Sequence, residues 1–391
     1  MRDFIFYNPT RIVFGRGKTS EIGELTAAYG SRILLVHGRE SARKTGLLTK
    51  VIRSLAEAEV DVVESGGVKS NPVLSFARKA ISLFRKTNRE VVVAVGGGSV
   101  IDTAKTVAAG ACYDGDAWDF YCGKAQVQKA VPVLAVLTLA ATASEMNDGA
   151  VMTNEETGQK FSCGGDALFP KVSILDPENT FTVPLNYSMY GAVDAIVHLL
   201  ESYFNATDPD TPLQDRFVEG LVQTIKESAE IIFREPHHYQ ARANLMWAAT
   251  LGLNGLAPAG VGGEGYPMHM IEHALSALYD VPHGAGLGIV APAWMRYQCY
   301  SAPQKIAQFG ERIFGFRVGS PEEKAKKGIR ALEIWLQSIG VPIRLQDIGI
   351  PLDDIAKIAA NAEMNARRWK MEKYRIELIK AILSLATIPR C

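Results

Sequence analysis

Residues 91–105 read VVVAVGGGSVIDTAK, an apolar run that breaks at Gly96–Gly98 and resumes with helical spacing. Consecutive β-branched residues without polar alternation mark a strand buried on both faces, and such strands belong to parallel sheets covered by helices. The stretches around it repeat the pattern. Upstream come SRILLVHG (31–38), a helical pattern from about 44 to 59, VDVVES (60–65) and a second helical pattern from about 72 to 86. Downstream, VPVLAVLTL (131–139) runs into the Thr/Ser-rich turn ATASEMND (141–148), and VSILDP (172–177) reads as the last strand of this half. Strands alternating with helices predict βαβ units in a mostly parallel, doubly wound, Rossmann-like sheet. After TFTVP (180–184) the pattern changes to successive amphipathic helices, as in RFVEGLVQTIKESAEIIF (216–233) and KKGIRALEIWLQSIG (326–340). The expected organisation is an α/β dinucleotide-binding domain over residues 1–185 and an all-helical metal-binding domain over 186–391, with a cleft between them.

Composition agrees with two domains, because 391 residues exceed what one core usually serves and 47% are hydrophobic. Lys plus Arg equal Asp plus Glu at 42 each, so no net field draws the chain to nucleic acid or an anionic membrane, and a small substrate fits better. Cys112, Cys122, Cys163, Cys299 and Cys391 are scattered and free of CxxC spacing, which argues against a disulfide scaffold or thiolate metal site. A reducing, cytoplasmic compartment is expected. The start, MRDFIFYNPTRIVFG, lacks the apolar run of a signal peptide, and no span of about 18 apolar residues occurs.

The glycine turn is a candidate pyrophosphate cradle, with Ser99 as the expected helix N-cap. Glycine lets backbone N–H groups approach a phosphate, and a helix N-terminus adds partial positive charge. It departs from the GxGxxG fingerprint, and no GxxxxGK[ST] stretch exists. The loop LLVHGRESARKTG (34–46) lies where a doubly wound fold reads the adenosine ribose. Arg39, Ser41, Arg43 and Lys44 lean it towards a 2′-phosphate and NADP, while Glu40 is the carboxylate that would suit NAD.

Metal-binding side chains recur in the second half. Asp194 and His198 are at i and i+4 in GAVDAIVHLLESY (191–203), with Asn186 or Ser188 as expected N-caps. His269 and His273 repeat the spacing in MHMIEHALSA (268–277), and His283 follows ten residues later. One carboxylate plus imidazoles suits Fe²⁺ or Zn²⁺ and is poor for Ca²⁺. Spacing leaves all five as candidate ligands. His237 and His238 read as surface residues, and His37 takes no role from spacing.

These motifs in this order resemble the iron-containing, or group III, alcohol dehydrogenase family. The match runs through NPTRIVFG (8–15), GGGSVIDTAK (96–105), TLAATASEMND (138–148), ILDPENTFTVP (174–184), GAVDAIVHLLESY and HMIEHALSALYDVPHGAGLGIVAPA (269–293). Within the family it looks most like the NADPH-dependent butanol dehydrogenase and aldehyde reductase branch, through WAATLGLNGL (247–256) and the 38–44 loop. The resemblance implies a dehydroquinate-synthase-like architecture and a homodimer. It implies Fe²⁺, with Zn²⁺ as the alternative, held by Asp194, His198, His269 and His283. His273 then moves beside the nicotinamide and substrate as a proton relay. The implied coenzyme, NADP(H) with NAD(H) as alternative, lies along Gly38, Arg39, Ser41, Asn71, Gly97, Gly98, Ser99, Asp102, Thr138, Thr142 and Ser144, with Lys160 nearby. The expected activity is reduction of small uncharged aldehydes and oxidation of primary alcohols, since Met146, Met152, Tyr266 and Met268 are expected near the ligands. The rivals are a polyol dehydrogenase or dehydroquinate-synthase-like lyase of the same fold, and a non-catalytic nucleotide- or metal-binding protein.

Overall fold

The run at 91–96 is a strand with every residue buried, inside a six-stranded, wholly parallel sheet. The computed structural model describes residues 1–39, 41–208, 210–263 and 265–387; Glu40 and the side chain of Ser41 lie outside the described residues. The strands are β1 (Arg11–Phe14), β2 (Arg32–Gly38), β3 (Asp61–Val68), β4 (Val91–Gly96), β5 (Val133–Leu137), β6 (Gly149–Asn154), β7 (Gln159–Gly164) and β8 (Val172–Leu175). Their helices are α1 (Ile22–Ala27), α2 (Ser41–Lys44), α3 (Leu47–Glu57), α4 (Leu74–Lys86), α5 (Gly98–Ala111) and α6 (Trp118–Cys122).

The sheet order is β1-β8-β5-β4-β2-β3. Both faces are dry: Ile33, Leu34, Leu35 and Val36 on β2 and Val91 to Val95 on β4 are all at 0% exposure. At about 1.5–3 kcal/mol for each fully buried aliphatic side chain, this double-sided burial is the main force holding the sheet. From β2 the chain goes outward to β3, and from β4 it goes to β5 on the opposite side. The direction of winding therefore reverses between β2 and β4, which is where open α/β sheets bind ligands, outside the carboxyl ends of the strands. Gly38 ends β2 there and Gly96 ends β4.

The pattern from about 44 to 59 is the single helix α3, which starts at Leu47 because Gly46, at a φ of 79°, separates it from the short α2. Two other features differ from the sequence pattern. Helix α5 begins one residue earlier than its expected cap, with Gly97 as N-cap and Ser99 inside the first turn, where its hydroxyl donates to the Ser70 carbonyl. The segment after the ATASEMND turn forms an antiparallel hairpin, β6–β7, whose Gly, Thr, Lys and Cys content hides the strand signal.

The remaining helices are α7 (Leu185–Phe204), α8 (Pro212–Arg234), α9 (Tyr239–Gly252), α10 (Pro267–Tyr279), α11 (His283–Cys299), α12 (Pro303–Phe314), α13 (Pro321–Ser338), α14 (Ile355–Arg368) and α15 (Ile376–Leu385). Neither Asn186 nor Ser188 caps α7: the helix starts at Leu185, directly after Pro184, and Ser188 is buried within it. By compactness, one unit comprises Tyr7–Pro184 and Glu235–Asn254, and the other Met1–Phe6, Leu185–Arg234 and Gly255–Cys391. The helix α9 thus packs with the sheet unit. Thr250 on it donates to the buried Glu145 carboxylate at 2.5 Å, and Trp247 meets Phe14 edge-on at 6.2 Å. In the helical unit α7 packs on α8 and α11, and α10 on α11 and α14. Among the described residues no helix is long and apolar enough to cross a membrane.

Candidate metal centre and coenzyme turn

Helix α7 carries Asp194 and His198 one turn apart, both buried. Helix α10 starts at Pro267, which presets the first-turn backbone, and carries His269 and His273 on one face. Its end turns sharply: Asp280 adopts a left-handed φ of 52°, its N–H donates to the Ser276 carbonyl, and α11 begins at His283. Glycine at 284 lets α11 press against α7, since a Cβ there would lie 2.0 Å from the Tyr190 carbonyl oxygen.

These turns bring three imidazole nitrogens within 3.6 Å of one carboxylate oxygen. Asp194 Oδ1 lies 3.3 Å from His198 Nδ1, 3.5 Å from His269 Nε2 and 3.6 Å from His283 Nε2. Two ligands each about 2.1 Å from a tetrahedral metal are about 3.4 Å apart, so the spacing matches a shared cation. Asp194 Oδ1, His198 Nδ1 and His269 Nε2 are buried without a hydrogen-bond partner, although such orphaning costs about 1–3 kcal/mol per group. A divalent cation at their common centre would satisfy all of them at once. His273 is buried on the same helix and groups with Glu272 and His283; its ring lies 5.5 Å from that of His283 and edge-on to Trp369 at 5.3 Å.

The electrostatics also call for positive charge. Burial alone would raise the Asp194 carboxyl, but the imidazoles of His198, His283 and His269 overturn this and hold it far below its usual range. Burial, together with the other imidazoles, drives His198 down to about 3 despite Asp194. For His269 burial is outweighed by Asp194 and Glu201, and its pKa rises to about 9.

Two buried carboxylates missed by the sequence reading back this cluster. Glu201 Oε1 sits 3.0 Å from His269 Nδ1 and accepts the His269 backbone N–H at 2.9 Å. Glu272 Oε2 pairs with His283 Nδ1, and its Oε1 accepts the Ser276 hydroxyl at 2.5 Å. The signal was present: Glu201 is two turns beyond Asp194 on the same face, and Glu272 is one turn beyond His269. Of the residues expected to line the site, Tyr266 meets His269 edge-on at 6.0 Å. Met152 and Met268 are at 0% exposure and Met146 is half-buried.

In the sheet unit the candidate coenzyme residues gather around the carboxyl ends of β2, β4 and β5. Thr138 N–H donates to the Gly96 carbonyl at 3.0 Å. Gly98 faces Thr142 so closely that a Cβ would lie 2.3 Å from its Oγ1. Ala143 takes a left-handed φ of 51°, strain of the kind that concentrates at functional turns. Asp102 is held by Ser144 Oγ at 2.5 Å and the Val151 N–H at 2.9 Å, so both carboxylate oxygens organise the turn and hairpin. Lys160 donates to Asn71 at 3.1 Å. Lys105, another residue the sequence reading passed over, is fully buried and donates to Asn147 O, Asn147 Oδ1 and Gly149 O at 2.8, 2.9 and 2.7 Å. Gly38 ends its strand with Arg39 exposed beside it. Arg43 is paired with Glu64 at 2.6 Å, and His37 lies between the Gly38 carbonyl at 2.8 Å and Glu64 at 3.3 Å. His237 is exposed against Phe181, while His238 caps α9 by accepting the Ala241 N–H.

A doubly wound sheet unit with a glycine turn at its switch point, joined in one chain to a helical unit that gathers an aspartate and imidazoles, defines a class of nucleotide- and metal-binding proteins. The sequence comparisons narrow that class. The profile of the iron-containing alcohol dehydrogenases matches residues 9–177, and that of the Fe-containing alcohol dehydrogenase family C-terminal region matches 188–386. A probable NADH-dependent butanol dehydrogenase of Bacillus subtilis is 41% identical over 98% of this chain and 99% of its own length. An NADPH-dependent aldehyde reductase of Escherichia coli is 36% identical, covering 97% of each chain. A crystal structure of an NADH-dependent butanol dehydrogenase from Thermotoga maritima superposes with a TM-score of 0.95 at 44% identity, covering 99% of both chains. The chain belongs to the iron-containing alcohol dehydrogenase family.

Proposed function

We propose that this protein is a metal-dependent, NAD(P)-linked alcohol dehydrogenase and aldehyde reductase acting on small uncharged primary alcohols and aldehydes. The observation that carries the reading is the convergence of Asp194, His198, His269 and His283, with buried donor atoms left unsatisfied. Those four residues would hold Fe²⁺, with Zn²⁺ also suited to the same donors. When bound, the metal would supply Lewis acidity and the nicotinamide would supply hydride chemistry. His273 exchanges the accompanying proton at a ring nitrogen, a task suited to an imidazole outside the ligand set. Tyr266 and Trp369, edge-on to His269 and His273, give this face an aromatic lining that favours an uncharged substrate over a carboxylated or phosphorylated one.

Gly38, Arg39, Ser41, Asn71, Gly97, Gly98, Ser99, Asp102, Thr138, Thr142, Ser144 and Lys160 form the coenzyme site in this reading. Gly97 and Gly98 admit the pyrophosphate, and Asp102 and Ser144 shape the turn. NADPH is the preferred coenzyme on the strength of the basic loop, where Arg39 and Lys44 are exposed. A second reading, NADH preference, is favoured by the Arg43–Glu64 pair, which spends one cation locally, and by the NADH-dependent relatives. The protein works as a cytoplasmic homodimer, as its family resemblance implies. The test is an aldehyde panel with NADPH and NADH on protein loaded separately with Fe²⁺ and Zn²⁺. Metal-dependent turnover of short aldehydes is expected, with higher kcat/KM for NADPH. No aldehyde-dependent coenzyme oxidation in metal-loaded protein would refute the activity, and higher kcat/KM for NADH would overturn only the coenzyme preference.

A further inference from the structure

We propose that Glu201 and Glu272 are positioning residues that lock the tautomer and ring orientation of His269 and His283, and thereby set the affinity of the metal centre. The proposal rests on the reading that Asp194, His198, His269 and His283 hold a metal. A neutral imidazole carries one N–H and one lone pair, so whichever nitrogen donates to a neighbour decides which nitrogen can ligate. In both histidines Nδ1 faces a carboxylate and Nε2 faces Asp194 Oδ1. An acceptor at Nδ1 keeps the proton there, leaves the Nε2 lone pair aimed at the centre and makes the ring a better donor.

Both carboxylates are built into place. Glu201 and Glu272 are 1% and 0% exposed. Glu201 Oε2 accepts from the Asn205 amide at 3.2 Å, while its Oε1 takes the His269 backbone N–H, so the carboxylate spans the start of α10 and the end of α7. Glu272 is gripped by Ser276 and lies in a notch on α11: a Cβ on Gly286 would approach its Oε1 to 2.6 Å and its Cγ to 2.7 Å. Burying two carboxylates is costly unless each is matched by a positive charge or strong donors. Each here has an imidazole N–H and a further donor, and a divalent ion beyond the imidazoles completes the match. His198 differs, because Asp194 is its only ion-pair partner among the described residues. The centre therefore has two braced imidazoles and one unbraced.

The test is titration of metal-stripped protein with Co²⁺, followed by its visible absorption, for wild type, Glu201→Gln and Glu272→Gln. The amide keeps the side chain's shape and a weaker acceptor while removing the charge. Each variant is expected to bind Co²⁺ about 10–100-fold more weakly, with an altered absorption band and an unchanged unfolding midpoint of the metal-free protein. Ser276→Ala, which loosens Glu272 from behind, gives a smaller loss in the same direction and serves if Glu272→Gln does not fold. Variants that bind Co²⁺ within about twofold of wild type overturn the proposal. A fall in affinity that merely tracks a lower metal-free midpoint also overturns it, as a packing effect. Failure of the wild type to bind Co²⁺ at all refutes the metal reading itself.

Discussion

Lys105 is the residue whose replacement should be most revealing in the sheet unit. Its ammonium is fully buried and makes three hydrogen bonds, to Asn147 O, Asn147 Oδ1 and Gly149 O, binding the turn after β5 and the start of β6 to helix α5. Methionine at 105 fills nearly the same volume but leaves those acceptors unmatched and takes the nearest positive charge from the buried Asp102. Charge-assisted hydrogen bonds contribute about 1.5–3 kcal/mol each, while removing the ammonium also removes its own burial cost. The net resembles breaking a buried ion pair, about 3–5 kcal/mol. For a unit of this size about 2–4 °C is lost per kcal/mol, so Lys105→Met should lower Tm by roughly 6–20 °C in scanning calorimetry at neutral pH. The pH dependence has a definite sign. Burial depresses the Lys105 pKa from 10.5 to about 8. Above about pH 8 the unfolded chain holds this proton while the folded chain sheds it, so the lysine's contribution to stability rises with pH. The Tm gap between wild type and Lys105→Met should therefore widen from pH 8 to about pH 10. A neutral-pH drop below about 2 °C would refute the view that Lys105 anchors the turn, and a gap that narrows from pH 8 to about pH 10 would refute the burial-driven depression of its pKa.

The other perturbations separate the sites from each other. His273→Ala should lower kcat about 100-fold or more while metal content by atomic absorption stays near wild type, whereas His283→Ala should lose the metal; equal metal loss in both contradicts the separate roles. Gly98→Ala places a methyl 2.3 Å from Thr142 Oγ1, so coenzyme affinity measured by NAD(P)H fluorescence should fall while Co²⁺ affinity holds. Glu64→Gln releases Arg43 from its ion pair and should raise the ratio of kcat/KM for NADPH over NADH several-fold; an unchanged ratio means that Arg43 does not read the ribose.

Legibility in the sequence followed range of interaction. The strand at 91–96, its glycine turn and the i, i+4 pairs on α7 and α10 rest on periodicity within one element, so they could be read directly. Ser99 as a cap failed because the two glycines let the helix start earlier, and the β6–β7 hairpin was missed because its residues have weak strand preference and are held by Asp102 and Lys105.

What the sequence determined by itself was therefore the class of fold, the parallel sheet, the helical second half and a short list of five metal-binding side chains. Which of those meet, and what stands behind them, was decided only in three dimensions. His283 reaches Asp194 because Asp280 reverses the chain and Gly284 lets α11 touch α7, and neither condition has a period. Helix spacing places Glu201 and Glu272 on the faces that carry Asp194 and His269, but nothing along the chain says that they or Lys105 are buried. Packing buries them completely, and a buried charge must be matched by partners that no local pattern can supply.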